Sequence, residues 1–376
     1  MIVNSNTYFS TTNIDEKYFD NYKFEISNVI SKLDKNKNNF HNLIPLKKRT
    51  YQIKNNELTK DNINLEMAEI LKKLNIDEYI FFNILSNNKK FYEIKKITKK
   101  SGKLRILHVP CNILKLLQRY ILENILYPKI DIINFNSCVT GFIKDKSTKD
   151  NAFEHLNKKY LIKIDIKDFF PSISRYMIFK ILERQLKISY KEAYLYSKIV
   201  TYDGILPQGG ITSPFISNMC LYKFDCRITS LIKSINKYEK IDGSYTRFAD
   251  DLTFSFNSRI DFNRFIDQIY EIIYNEGYIP NYTKTKLLHN TVRQEVTGII
   301  VNGKELSISK KTRDDIRFIL NIWKKFGKEE ASNKYNIIFG KSNKSFLLRI
   351  ESFISYIKDI NNKQGEKLKK LLIKIK

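Results

Sequence analysis

Two adjacent carboxylates, Asp250 and Asp251, are the residues of this sequence best suited to chemistry. Apolar and hydroxyl side chains alternate after them, which predicts a strand, a tight turn and a second strand over residues 244–256. In such a turn the two carboxylates repel each other, and burial disfavours the charged form of both. A divalent cation removes that cost, so the pair is a candidate metal site. The alternative is an ordinary solvated turn, where Asp is common.

A third carboxylate, Asp165, lies on the clearest strand pattern of the chain, residues 161–168. Isoleucines occupy alternate positions there, so Asp165 is predicted to point away from the apolar packing. If this strand lies beside the Asp250 turn, three carboxylates converge. Such hard oxygen ligands suit Mg²⁺, which proteins often hold with one or two carboxylates and substrate phosphates. Two ions held in this way activate an attacking hydroxyl and stabilise a leaving pyrophosphate.

The charge of the chain points to a polyanionic partner. Lys plus Arg total 66 and Asp plus Glu total 40, which gives the 376 residues a net charge of +26. Nucleic acid and an anionic membrane surface both carry the matching charge. The basic residues do not concentrate on one long amphipathic segment, so the membrane surface is the weaker candidate. A basic, well-solvated surface without such a partner is the remaining alternative.

Several protein classes are excluded by composition. A hydrophobic content of 42% excludes wholesale disorder. The first residues lack the basic segment and apolar run of a signal peptide, and no stretch approaches the roughly 18 apolar residues of a membrane span. The four cysteines form no C-x-x-C pair, so a zinc module is not expected. We therefore expect a reduced, cytoplasmic protein.

The elements before Asp165 are predicted from periodicity and turn signals. Residues 1–60 are polar, rich in Lys and Asn, and without a clear period, whereas residues 61–85 are predicted to be helical. Residues 91–110 predict two short strands joined by a turn at Gly102, which together form a basic hairpin. A helix is predicted to follow from residue 112 to residue 126.

A glycine-rich loop, residues 206–214 (LPQGGITSP), separates the Asp165 strand from the Asp250 turn. It leads to Ser213 as the predicted N-cap of a helix, with Pro214 at the first helical position. That helix is predicted to continue to Ile235. Further helices are predicted over residues 175–186, 191–200 and 262–276.

The C-terminal part is predicted to begin with a strand pair and to continue as helices. Residues 292–301 predict the pair, with a turn at Asn302 and Gly303. From Ser309 the chain is predicted to be helical and basic, with an apolar stripe along one face. The stripe consists of Ile316, Ile319, Leu320, Trp323 and Phe326.

Three of these segments, in this order, resemble motifs of reverse transcriptases. Residues 164–173 (IDIKDFFPSI) resemble the first metal-binding strand, residues 206–214 the nucleotide-pocket loop, and residues 245–251 (YTRFADD) the catalytic turn. The family usually has Tyr where this chain has Phe248, which keeps an aromatic ring and loses a hydroxyl. Three motifs of these lengths in the family's order rarely coincide by chance.

The resemblance implies an α+β fold of the right-hand polymerase type, with fingers, palm and thumb. Its expected domains are an N-terminal extension of unknown role at residues 1–60, fingers and palm at 61–300, and a helical, RNA-binding thumb at 301–376. Because little chain follows the thumb, we expect no attached ribonuclease H domain. The implied catalytic residues are Asp165, Asp250 and Asp251, and the backbone carbonyl of Ile166 completes the metal shell. The expected cofactor is a pair of Mg²⁺ ions, with Mn²⁺ as the alternative.

The resemblance also implies a pocket for the incoming dNTP. Phe170 matches the bulky gate that excludes a ribose 2′-hydroxyl by steric clash. Either Phe169 or Phe170 is expected to be a core residue. Gln208 and Gly209 let the backbone approach the nucleotide closely.

Basic residues on two segments are the candidates to meet the triphosphate. Lys100 and Arg105 of the basic hairpin would neutralise its charge, with Lys99 and Lys103 as competitors. Residues 277–285 (GYIPNYTKT) resemble the family's next palm motif, in which Lys284 is the candidate acid or phosphate contact near the leaving group. Lys286 is the nearest rival of Lys284.

Two further motifs resemble the retron subgroup of reverse transcriptases. Residues 151–155 (NAFEH) are an N-A-x-x-H motif before the Asp165 strand, and residues 296–298 (VTG) follow Lys284. In retron enzymes these regions are associated with a dedicated structured RNA. The implied RNA-binding residues are Asn151, His155, Val296, Thr297 and Gly298, and the basic C-terminal part adds Arg313 and Arg317. For His155 the alternative is a hydrogen-bonded structural histidine.

The expected function is therefore RNA-directed DNA synthesis of the retron type. The resemblance implies a cognate structured noncoding RNA as template and primer, dNTPs as substrates, and a branched RNA–DNA product (msDNA) that starts at a guanosine 2′-hydroxyl. It also implies antiphage defence with an effector or toxin protein as partner. The alternatives are another bacterial reverse transcriptase, of group II intron, diversity-generating or abortive-infection type, and a catalytically silent RNA-binding scaffold.

Overall fold

The computed structural model of the chain describes residues 65–98, 102, 104–130, 135–342 and 344–375. Two units divide the chain, Met1–Phe81 and Phe82–Lys376. Helices α1 (Leu65–Lys73) and α2 (Glu78–Ser86) replace the single helix predicted there, because Asn75 between them is left-handed, with φ 53°. Within the described residues no helix is both long and apolar enough to cross a membrane.

The basic hairpin forms as predicted. Strand β1 (Tyr92–Thr98) pairs antiparallel with β2 (Leu104–Pro110). The glycine-rich loop lies against β2, where the His108 amide donates to the Gln208 carbonyl at 2.8 Å. A Cβ atom on Gly209 would lie 2.9 Å from the His108 carbonyl oxygen, and the φ of Gly209 is +117°. Only glycine permits this approach of loop to hairpin.

The central sheet has four antiparallel strands in the order β4-β5-β3-β6. The strands are β3 (Tyr160–Asp165), β4 (Gly243–Phe248), β5 (Asp251–Phe256) and β6 (Lys286–His289). Strand β3 pairs with β5 so that Asp165 lies directly opposite Asp251. The two segments that carry the predicted aspartates are therefore neighbours in one sheet. Strand β6 was not predicted, because most of it is exposed and it shows no alternation.

Eight helices of the described residues precede, separate or follow the strands of this sheet along the chain. Most of them lie where the sequence predicts helices. They are α3 (Asn112–Tyr120), α4 (Thr148–Phe153), α5 (Phe169–Ser172), α6 (Arg175–Lys180), α7 (Tyr190–Ile199), α8 (Ser213–Cys220), α9 (Tyr222–Glu239) and α10 (Phe262–Asn275). Helices α3 and α6 each continue into a π-helical turn, Ile121–Leu126 and Ile181–Gln185.

Two local predictions were wrong, and a third missed one turn. The helix after the glycine-rich loop breaks at Leu221, where a φ of −95° and a ψ of 5° interrupt the helical hydrogen bonding. Its N-cap is Thr212, which places Ser213 inside the first turn. The strand pair β7 (Glu295–Val296) and β8 (Ile299–Ile300) turns at Thr297–Gly298, which was not predicted, because both residues have the positive φ of a two-residue hairpin turn. The predicted bend at Asn302 and Gly303 follows β8, where Ile300 pairs back with Ser307.

Four C-terminal helices share a hydrophobic core with the central part of the second unit. They are α11 (Lys310–Phe326), α12 (Lys328–Phe339), α13 (Phe346–Ile360) and α14 (Asn362–Ile373). The core contains Ile316 and Ile319 of the predicted stripe, and it reaches Leu161 on β3 and Val296 on β7. Phe326 is 70% exposed, so the stripe ends before it. The mixture of helices with antiparallel sheets confirms the α+β class.

Candidate active site

The turn between β4 and β5 presents two of the three predicted carboxylates. Ala249 is left-handed there, with φ 58°, which reverses the chain immediately before Asp250. The Ile166 amide donates to the Asp250 carbonyl at 3.2 Å, which joins the end of β3 to the turn. With Asp165 opposite Asp251, the structure brings all three predicted aspartates to one edge of the sheet.

A buried ion pair anchors this turn from below. The Arg247 guanidinium donates to both carboxylate oxygens of Asp225, with the shortest distance 2.6 Å, and neither side chain is more than 1% exposed. Arg247 also donates to the Ala249 carbonyl at 3.1 Å and to the Asn218 side chain at 2.9 Å. The Tyr245 hydroxyl donates to Asp225 at 2.8 Å. Because the Ala249 carbonyl is held in this way, the ion pair sets where the next two residues point.

The segment Gly141–Phe142 supports the same turn from the side. The Thr140 amide donates to the Arg247 carbonyl at 3.0 Å. A Cβ atom on Gly141 would lie 2.7 Å from the Ala249 amide nitrogen, so a larger residue would push the turn away. The ring centroids of Phe142 and Phe248 lie 6.3 Å apart, at the cleft described below.

The carboxylates strain one another electrostatically. Burial, and then the charges of Asp251 and Asp165, raise the pKa of Asp250 to about 6. Burial also raises the pKa of Asp251, although the nearby Lys163 ammonium lowers it in part. A cluster that resists its own ionisation in this way is suited to a multivalent cation.

Lys284 and Asn281 bind the third carboxylate. Lys284 Nζ lies 2.8 Å from Asp165 Oδ2, and the Asn281 side-chain amide donates to the same oxygen at 3.0 Å. Partial burial lowers the pKa of Lys284, but the hydrogen bond and charge of Asp165 outweigh it, so the pKa is raised. Its rival Lys286 lies on β6 and is exposed. Asn281 was not predicted, since an amide in a loop carries no pattern.

The donor set fits a divalent cation without forming a complete cage. Among the residues that the structure describes, no three His, Cys, Asp or Glu side chains are arranged to hold a metal by themselves. Asp165, Asp250 and Asp251 offer only carboxylate oxygens, which hard cations prefer, and substrate phosphates commonly supply further ligands. Lys284 meanwhile neutralises part of the negative charge at Asp165.

A cleft of about 410 Å³ opens beside the Asp250 turn. Its walls include four of the predicted nucleotide-pocket residues and two of the aspartates: Arg105, Phe170, Gln208, Gly209, Asp250 and Asp251. Phe169 is 2% exposed and belongs to the core, whereas the neighbouring Phe170 faces the cleft, which resolves the choice between the two rings. Lys100 and its competitors Lys99 and Lys103 lie outside the described residues.

The two predicted retron motifs are joined to each other by hydrogen bonds. Asn151 accepts a hydrogen bond from the Thr140 hydroxyl at 2.8 Å, and its amide donates to the Thr297 hydroxyl at 3.4 Å. Thr297 in turn donates to the Thr148 carbonyl at 3.1 Å. The N-A-x-x-H helix and the V-T-G hairpin therefore form one assembly beside the sheet.

Most of these motif side chains lie inside the protein. His155 is completely buried, with Nδ1 2.7 Å from the Ser255 hydroxyl and Nε2 2.7 Å from the Thr246 hydroxyl. Burial lowers its pKa to about 3, so the ring is neutral at physiological pH. Asn151 and Val296 are buried as well, and Gly298 is exposed.

The two predicted arginines of α11 differ in their surroundings. Arg317 is exposed and pairs with Asp314 at 3.1 Å. Arg313 is half-buried, and its Nε is buried without a hydrogen-bond partner among the described residues. Arg313 is thus the less solvated of the two.

Comparison with known proteins identifies the family of the chain. Residues 97–319 match the family described as reverse transcriptase (RNA-dependent DNA polymerase). The chain is 28% identical over 277 residues to the Retron Ec86 reverse transcriptase of Escherichia coli, which covers 70% of this chain and 79% of that protein. It is 31% identical over 251 residues to the Retron Ec83 reverse transcriptase of Escherichia coli, at 63% and 76% coverage.

Solved structures show a weaker similarity. Telomerase from Candida albicans, in complex with a TWJ fragment of telomeric RNA, matches with a TM-score of 0.41 and 14% identity over 83% of this chain and 68% of that one. This match adds nothing to the assignment. The family match and the retron relatives decide it: the chain belongs to the reverse transcriptases, as an RNA-directed DNA polymerase of right-hand fold and retron type.

Proposed function

We propose that this reverse transcriptase copies a cognate structured noncoding RNA, which serves as both template and primer, into a branched RNA–DNA product. The observation that carries the proposal is the meeting of Asp165, Asp250 and Asp251 at the edge of a cleft of nucleotide size. The bonded N-A-x-x-H and V-T-G motifs support the retron-specific part.

The reaction is a nucleotidyl transfer. A terminal hydroxyl oxygen attacks the α-phosphorus of a dNTP and forms a new phosphodiester bond. The bond from that phosphorus to the bridging oxygen of the β-phosphate breaks, and pyrophosphate leaves. Lys284, whose pKa is raised by Asp165, is our candidate to donate a proton to the leaving group or to contact its phosphates.

Reverse transcriptases use divalent metal ions. We assign them, as two Mg²⁺ ions, to the carboxylates of Asp165, Asp250 and Asp251 and the carbonyl of Ile166, and we expect Mn²⁺ to substitute. When bound, such ions lower the pKa of the attacking hydroxyl and offset charge on the leaving pyrophosphate. The elevated pKa of Asp250 supports this assignment, because it marks a site short of positive charge.

The cleft residues select and orient the dNTP. We assign Arg105, together with Lys100, to the triphosphate, and Gln208 and Gly209 to the nucleotide's close approach to the backbone. Phe170 acts as the gate against a ribose 2′-hydroxyl, since its ring faces the cleft. Phe169 does not take part in this selection, because its ring is packed in the core.

The RNA is bound by the C-terminal part and by the V-T-G hairpin. Thr297, Gly298, Arg313 and Arg317 are our candidates for direct contact. The buried side chains Asn151, His155 and Val296 act by holding the hairpin and helix in place. In this proposal residues 61–300 form the fingers and palm, and residues 301–376 form the thumb. On retron kinship alone, we extend the proposal to antiphage defence with an effector protein in the cytoplasm.

The test is to sequence the nucleic acid that copurifies with the protein expressed from its own locus. We expect one short structured RNA, covalently joined to DNA through a 2′–5′ branch. The Asp250→Asn/Asp251→Asn variant should bind the same RNA without the DNA. A mixture of unrelated RNAs with no joined DNA would contradict the retron assignment, and DNA joined equally in the variant would contradict the catalytic one.

A further inference from the structure

Two lysines that the nucleotide cleft does not use lie opposite each other on the central sheet. Lys163 of β3 pairs in register with Lys286 of β6. Residues directly opposite on antiparallel strands project from the same face, and like charges in such a pair destabilise the sheet. Within the described part of the chain, no carboxylate lies within ion-pair distance of either ammonium. Neither lysine has an ion-pair partner there, and the opposing charge that the Lys163 ammonium meets is that of Asp251, whose pKa it lowers in part.

The position of Lys163 relates this site to the catalytic carboxylates. Alternate residues of a strand share a face, so Leu161, Lys163 and Asp165 follow one another along one side of β3. Leu161 is fully buried in the core that it shares with the C-terminal helices, and Asp165 ends the strand at the catalytic edge. Lys163 therefore lies between the C-terminal helices and the aspartates.

The rest of this sheet face is neutral. Thr253 lies opposite Lys163 on β5, and Thr246 and Ser255 continue the same face. The His155 ring bonds both Thr246 and Ser255 and carries no charge at neutral pH. Apart from the catalytic aspartates, this face offers the two lysines no anion, which leaves room for one from outside the protein.

The nucleotide cleft opens beside the Asp250 turn and is separate from the two lysines. Its walls are formed by the basic hairpin, the glycine-rich loop and the Asp250 turn, and neither Lys163 nor Lys286 belongs to them. In an in-line displacement the attacking oxygen and the leaving group take opposite sides of the phosphorus. A triphosphate in the cleft thus requires the attacking hydroxyl to approach over β3 and β6.

We propose that Lys163 and Lys286 bind phosphodiesters of the primer strand, just behind the hydroxyl that is extended. The inference rests on the proposed polymerase function and adds a binding site for one of its two nucleic-acid strands. Strand geometry sets the Cα atom of Lys163 about 7 Å from the Cα atom of Asp165. The Lys163 ammonium therefore meets the first or second phosphodiester from the growing end of the primer. The bound phosphodiester offsets the repulsion between the two ammonium groups. This accounts for two like charges lying directly opposite each other.

The experiment measures binding of a primer–template duplex to Lys163→Met and Lys286→Met at several salt concentrations, without dNTP. Methionine keeps the apolar stem and removes the charge. The matched control is Lys233→Met, an exposed lysine on α9. Each lost phosphate contact should weaken binding about tenfold near 0.1 M salt and flatten the log–log salt slope by about 1. The KM for dNTP at saturating duplex should stay unchanged in both variants. In the control, the duplex affinity, the salt slope and the KM for dNTP should all equal those of the wild type.

A second readout separates binding from structure. Lys163→Arg should retain duplex affinity, because it keeps the positive charge that binds the phosphodiester. Unchanged duplex affinity in both methionine variants, or a raised KM for dNTP instead, would overturn the site while primer extension by the wild type upheld the function. Lysine-dependent duplex binding by a wild type that extends no primer would uphold the site and overturn the function.

Discussion

Arg247 and Asp225 form an ion pair with no access to solvent, directly beneath the turn that presents Asp250 and Asp251. Arg247 extends the contact to the Ala249 carbonyl, one residue before Asp250. The geometry of these carboxylates therefore depends on a charge pair in the core. Such pairs are expensive to break, because the remaining charge stays buried.

Asp225→Asn should unfold at markedly lower denaturant concentration than the wild type. It leaves the Arg247 guanidinium buried without a counter-charge, at a cost of about 3–5 kcal/mol in unfolding free energy. The double variant Asp225→Leu/Arg247→Met should recover most of this stability, since both charges are gone, but not the polymerase activity. A loss below about 0.5 kcal/mol for Asp225→Asn would show that the pair does not anchor the turn.

Asp250→Asn should be more stable than the metal-free wild type at pH 7 and equal to it near pH 4. The folded pKa of Asp250 is about 6 and the unfolded value 3.8. The carboxylate is therefore charged in both states above pH 6, where folding carries the full cost of about 2–3 kcal/mol, and neutral in both below pH 3.8. The cost grows as the pH rises from 3.8 to 6.

The measurement is chemical denaturation of both proteins across this pH range, with and without Mg²⁺. Added Mg²⁺ should narrow the difference at pH 7, because only the wild type keeps all three carboxylates. A difference that does not depend on pH would contradict the electrostatic strain in the cluster.

His155 should make the wild type sensitive to acid. Its pKa is about 3 in the folded protein and 6.5 when unfolded, so below pH 6.5 only the unfolded state takes up the proton. The stability that neutral His155 contributes is complete above pH 6.5 and falls by about 2 kcal/mol by pH 5. Against His155→Gln as reference, the unfolding free energy of the wild type should drop over this range. Parallel pH profiles would mean that the ring is solvated or already protonated.

Phe170→Val should admit ribonucleotides. Removing the ring that faces the cleft removes the clash with a 2′-hydroxyl, so the preference for dNTP over rNTP in kcat/KM should fall by about 10- to 100-fold. Phe169→Val is the matched control. That ring is in the core, so its loss should cost about 1–3 kcal/mol of stability and leave the preference unchanged. Equal preference in both variants would exclude Phe170 as the gate.

The sequence predicts the meeting of the three aspartates because its signal is local, but its prediction that Asp165 points away from the apolar packing was wrong, since Asp165 is buried and shares its face of β3 with the core residue Leu161. Alternation around Asp165 and after Asp251 fixes which side chains share a face, and the register of β3 with β5 then places the two carboxylates opposite each other. The positive φ of Gly209 is equally local, whereas its close approach to His108 on β2 joins segments that are distant in the sequence and was not predicted.

What the sequence does not predict depends on distant partners. Asp225 stands on the buried face of α9, next to Phe224, and only the fold reveals that Arg247, 22 positions later, is its partner. A charged residue on an apolar helix face was the available signal. The break at Leu221 has no such signal, because the apolar pattern runs through it.

Primer extension on an RNA template with dNTPs and Mg²⁺ is the most direct test of the central claim, which is that Asp165, Asp250 and Asp251 act as one catalytic centre. The purified wild type should extend the primer. Asp250→Asn/Asp251→Asn and Asp165→Asn should each lose at least about 10³-fold in rate while still binding the duplex. Extension at the wild-type rate by either variant would contradict the account.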